Sequence, residues 1–80
     1  MAKIAYKKEA LTGGSGVALD GIDGLGLVDK DFAFVTLSGD LYFYILDDDS
    51  GADESSPDVI KPDTNPGTKR WILQTFYSGA

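Results

Sequence analysis

Eighty residues make one domain at most, below the usual domain size of roughly 100–150 residues, and a chain this short buries only ~60% of its extended surface. The sequence holds no cysteine and no histidine, which excludes disulfide staples, thiolate-held metals, an imidazole base and every histidine-containing triad. Thirteen acids against seven bases give a formal net charge of -6, a balance that favours solubility and opposes nucleic acid and anionic membrane as partners.

The apolar content of 42% and aromatic content of 11% exceed what disordered chains carry, so a packed core is expected. The acids cluster: Asp47, Asp48, Asp49, Asp53, Glu54, Asp58 and Asp63 face only Lys61 across residues 47–63. No apolar run approaches the ~20 residues needed to cross a bilayer. The polar opening MAKIAYKKEA lacks the apolar h-region of a signal peptide.

In chain order, Lys3 to Leu11 alternate weakly through Ile4 and Tyr6, which reads as an edge strand or a leader, since a short strand is marginal unless paired. TGGSG at 12–16 is a glycine-rich joint. The expected organisation is therefore a leader or edge strand with its joint over 1–16, a single small β domain over 17–77, and a tail over 78–80. In GVALDGIDG, Val17, Leu19 and Ile22 share a helical face while Gly21 and Gly24 stop any long helix. This predicts one short helical turn near 17–23, with Leu19 and Ile22 tucked beneath a sheet. Leu25, Leu27 and Val28 then precede a charged turn at Asp29–Asp31.

FAFVTL at 32–37 and LYFYIL at 41–46 are dense in aromatic and β-branched residues around Ser38-Gly39-Asp40, the mark of a tight hairpin. A two-residue loop at 38–39 or at 39–40 fits, and in both cases the paired residue numbers have an odd sum. Phe32, Phe34 and Thr36 then share one face with Leu41, Phe43 and Ile45, and Ala33, Val35 and Leu37 share the other with Tyr42, Tyr44 and Leu46. Both faces are apolar, which predicts a partner on the second one. A long polar loop follows over 47–69, with a short β contact at Val59-Ile60 and a turn at Pro66-Gly67. A third strand runs over about 70–76, with Trp71, Leu73 and Thr75 on one side and Ile72, Gln74 and Phe76 on the other. The fold class expected is mainly β, a small antiparallel sheet of the 32–37/41–46 hairpin and the 70–76 strand.

Few residues propose chemistry. Asp47, Asp49, Gly51 and Asp53 have the spacing that opens an EF-hand loop, but the sixth position is Ala52, the twelfth is Asp58, and a strand precedes it; a solvated acidic loop is the reading adopted. Asp20, Asp23, Asp29 and Asp31 supply carboxylates for acid–base work, yet nothing in the sequence fixes a catalytic separation. Asp20 and Asp23 are read as turn caps that accept backbone N–H groups. GGSG at 13–16 lacks a following GK[ST], and GLG at 24–26 lacks a third glycine. No catalytic, cofactor-binding or metal residues are assigned. Lys69 and Arg70 are placed to pair with the acidic loop. Val35, Leu37, Tyr42 and Tyr44 form the interaction face expected from the hairpin. Tyr42, Tyr44, Trp71 and Tyr77 form the alternative, an aromatic platform for a sugar.

The stretches ALDGIDG at 18–24, LVDKDFAFVTLSGDLYFYILDDDSGADESSPDVIKPD at 27–63 and NPGTKRWIL at 65–73 resemble a small module recurring in bacteriophage and prophage tail-fibre, tail-spike and related virion structural proteins. The resemblance implies a non-catalytic structural or adaptor unit that works through contacts with other protein modules or subunits, self-association included. It implies a location in the virion, or in the bacterial cytoplasm when expressed from a prophage. Fibre assemblies are commonly trimeric, but no heptad in this chain supplies a trimer.

Overall fold

A computed structural model describes residues 5–14 and 16–77. Ile4 of the expected first strand, Ser15 of the glycine-rich joint and the 78–80 tail lie outside the described residues. Two strands form the hairpin: β2 at Phe32–Leu37 and β3 at Asp40–Asp47, named here in chain order after β1 at Ala5–Lys8. Leu37 pairs with Asp40 and Phe32 with Ile45, so the loop is Ser38-Gly39. Ser38 has φ 53° and Gly39 φ 83°. Positive φ at both central residues is the type I′ turn, whose twist matches that of the flanking strands.

Two more strands, β4 at Val59–Ile60 and β5 at Arg70–Tyr77, complete a five-stranded sheet in the order β1-β2-β3-β5-β4. The protein is a small, mainly β fold, as expected. The sheet is mixed rather than wholly antiparallel: β1 runs parallel to β2, with Tyr6 opposite Ala33 and Lys7 opposite Phe34. A parallel pair requires a long crossover. Residues 9–31 provide it, and they carry short 3-10 turns at Leu19–Gly21 and Gly24–Gly26 instead of an α-helix.

The glycine-rich stretch lies inside that crossover. Glu9 and Ala10 both donate their N–H to the Val17 carbonyl at 2.8 and 3.1 Å, and Leu19 donates back to Ala10 at 2.8 Å. Leu11 packs into the core. Ala5–Lys8 therefore pair into the same sheet as the other strands, and Tyr6 and Leu11 pack on the same core.

The crossover covers one face of the sheet. Leu11, Leu19 and Leu27 pack on Ala33, Val35, Tyr44, Leu46, Ile60 and Trp71, and Ile22 packs against this cluster. The helical turn with Leu19 and Ile22 beneath the sheet thus forms as expected. Asp31 anchors the crossover's end: its carboxylate accepts from Val28 N–H at 2.8 Å and its carbonyl from Leu46 N–H at 2.7 Å. Bonded backbone of this kind satisfies polar groups that burial would otherwise leave costly.

Strict alternation fails in β5. Phe43 pairs with Thr75 but Tyr44 pairs with Leu73, leaving Gln74 as the extra residue of a β-bulge. A bulge shifts the side-chain phase by one. Trp71 and Leu73 face the core as read from the sequence, but Thr75 turns to the opposite face and Phe76 comes beside Tyr42, at 4.8 Å between ring centroids.

Candidate functional site

The acids are used to hold loops. Asp20 is buried and accepts from Gly14 N–H at 2.9 Å. Burial raises its pKa above the ordinary carboxyl value, with neighbouring Asp63 and Glu54 acting in the same direction and the N–H bond opposing. Asp23 caps the second 3-10 turn through Leu25 N–H at 2.9 Å and accepts from the Asn65 amide at 3.0 Å. Those two bonds hold its pKa below the ordinary value. Both residues thus serve the turns, as expected.

The 47–69 connection is bonded across its width. Thr68 Oγ1 donates to the Asp48 carbonyl at 2.6 Å, and the Tyr44 hydroxyl donates to the Pro57 carbonyl at 2.5 Å. Burial raises the Tyr44 pKa. Arg70 gives Nε to the Ala52 carbonyl at 2.6 Å and Nη1 to the carbonyls of Gly67 and Lys69. Lys69 donates to the Gly24 carbonyl at 2.6 Å. These two cations stitch loops through carbonyl oxygens, where pairing with the acidic loop was expected.

The carboxylates of Asp29, Asp47 and Asp48 gather at the crossover's end. Asp29 accepts from Asp48 N–H at 3.1 Å and Asp47 from Asp49 N–H at 3.0 Å. The first bond ties the crossover to the acidic loop and the second is a turn bond within it; Asp49 and Asp53 of the EF-hand spacing are not part of the gathering. No cavity opens among the described residues either.

The expected interaction face requires correction. Val35 and Tyr44 are 0% exposed, and half-buried Leu37 and Tyr42 pack against the core. On this side the crossover's Leu11, Leu19 and Leu27 join Ala33, Val35, Tyr44 and Trp71 in one core cluster. The sugar platform fails on geometry too. Tyr44 and Trp71 are both interior, and Tyr77, paired with Leu41, projects from the other face. The Tyr42–Phe76 pair that remains is tilted by 46°, not coplanar. The Trp71 indole N–H finds no acceptor among the described residues.

Among the described residues, the opposite face is left open. Phe32, Phe34 and Phe43 meet there, Phe34 stacked on Phe43 at 5.1 Å and Phe32 edge-on to each at 6.2 Å. By register, Leu41, Ile45 and Ile72 continue this apolar surface, and Thr36 and Thr75 punctuate it. None of these residues is buried or belongs to the core, and Phe34 is 39% exposed. The phenylalanine trio is visible in the sequence as one face of the hairpin, but nothing in the sequence marks it as the uncovered one. Comparison with protein-family models, curated proteins and solved structures gives no significant match to this chain.

Proposed function

We propose that this chain is a non-catalytic structural or adaptor module whose work is protein–protein contact, made through the phenylalanine face of the sheet. The observation that carries the reading is the phenylalanine trio itself, standing on a sheet face with no core layer over it among the described residues. Contiguous apolar surface of this kind on a small protein marks an interaction site, because leaving it in water forgoes ~25 cal/mol per Å². An acidic surface and loop-holding carboxylates fit a module that binds rather than reacts. The likeness of residues 18–73 to tail-fibre modules extends the proposal to a phage or prophage tail-associated assembly.

A photo-crosslinking residue at position 34, in cells expressing the chain, tests this. The control position is Leu25, which is 75% exposed and lies on the crossover. Protein adducts at 34 well above those at 25 support the reading. Equal yields at the two positions, or none at 34, contradict it.

A further inference from the structure

We infer that the occupant of the phenylalanine face is a second copy of this chain, packed face to face across a twofold axis to make a two-sheet sandwich. The inference rests on the contact-module reading and names its partner.

Area sets the scale. The five strands hold 28 residues between them, which at ~3.3 Å rise and ~4.8 Å spacing give a face of ~440 Å², or about 500 Å² of accessible surface once side-chain relief is included. Two such faces bury ~1,000 Å² in total, below the ~1,200 Å² of stable interfaces, in the range of weak, reversible contacts and well short of an obligate one. The face is therefore matched to a reversible dimer of equals. Sheets stack ~10 Å apart with strands ~30° from aligned, a geometry open to two copies of the same twisted surface.

Charge favours the same occupant. The chain carries 13 acids, yet no carboxylate stands among Phe32, Phe34, Leu41, Phe43 and Ile45 on this face. At its end, Asp47 sits opposite Arg70 in the register. A basic partner would find nothing to pair with at the centre. A second copy meets apolar surface with apolar surface over β2, β3 and β5, with exposed Lys7 standing beside Phe34 toward the β1 edge of each face. A twofold contact makes the same patch complement itself.

Sedimentation equilibrium over a hundredfold concentration range tests the inference on the full chain and on two variants, Phe34→Lys and Thr36→Lys. Thr36 is exposed, so its variant adds charge to the face without removing core. The native chain should pass from monomer to dimer, and added salt should strengthen the association by screening two chains of charge -6. Both variants should stay monomeric with unchanged far-UV circular dichroism, while Leu25→Lys dimerises like the parent. A dimer that survives both variants overturns the inference, since its interface lies elsewhere. A native chain monomeric throughout also overturns it. If position 34 still gives adducts with other proteins, the contact-module reading stands with a different partner; if it gives none, both readings fall.

Discussion

The two faces of the sheet are built from nearly the same residue types and have opposite fates. One carries Ala33, Val35, Tyr44, Leu46 and Trp71, all 0% exposed. The other carries Phe32, Phe34, Phe43, Ile45 and Ile72, none of them buried. Hydrophobicity does not separate them; what does is the crossover joining the parallel strands β1 and β2, whose Leu11, Leu19 and Leu27 pack on one face. The same apolar residue types are core on one face and carry no core layer among the described residues on the other.

The largest effect should come from Trp71. Trp71→Ala removes the largest fully buried side chain and should cost ~3–5 kcal/mol in urea unfolding. Phe34→Ser on the open face should cost under ~1 kcal/mol in the monomer, as surface changes do. Equal losses would break the comparison between the faces.

Gly24 tests how the covering layer is locked. Its N–H bonds the Thr64 carbonyl at 2.8 Å, and a Cβ there would run into the Asn65 carbonyl. Because that neighbour is backbone, Gly24→Ala should cost ~1–3 kcal/mol by overpacking, with faster hydrogen exchange at Leu19 and Leu27. Unchanged exchange there would show that the 64–65 loop does not hold the crossover down.

Asp20 gives a pH signature on the same side. Its pKa is raised in the folded chain, so the native state binds the proton more tightly than the unfolded one. Stability should fall as pH rises from the ordinary aspartate value of ~3.9 through the raised value, and be flat above it. Asp23, with its pKa lowered, acts below that window: its stabilisation is lost as pH falls through the lowered value. Asp20→Asn keeps an acceptor for Gly14 N–H and removes the charge. Urea midpoints measured from pH 4 to 7 should lose the Asp20 slope in this variant; a slope that persists would place the burial penalty elsewhere.

The smallest effect concerns the hairpin that both faces share. Ser38 occupies the first positive-φ position of the type I′ turn, which asparagine suits better. Ser38→Asn should raise thermal stability by a few tenths of a kcal/mol. A loss would mean that the serine holds the turn in some other way.

The hairpin, the β5 strand, the brief Val59-Ile60 contact and the Leu19 turn were legible because local residue type decides them. The turn register was half legible: both candidate loops gave the same two faces, and only backbone angles chose Ser38-Gly39. The parallel placement of β1 was hidden, since Lys7 and Lys8 blur its alternation and its partner lies beyond a crossover. The bulge at Gln74 was hidden as well, because it forms only against β3, and it reversed Thr75 and Phe76. For the candidate site, the sequence grouped the phenylalanines correctly and left open which group would be covered. Choosing Val35, Leu37, Tyr42 and Tyr44 as the contact face took the core for the surface.

The most direct test of the two-face account is the NMR response of aromatic side chains to a soluble paramagnetic agent, in chain dilute enough to be monomeric. The account predicts strong broadening of the Phe34 ring and clear broadening of Phe43, with the Tyr44 and Trp71 rings untouched. Broadening of Tyr44 and Trp71 with the phenylalanines protected would contradict it.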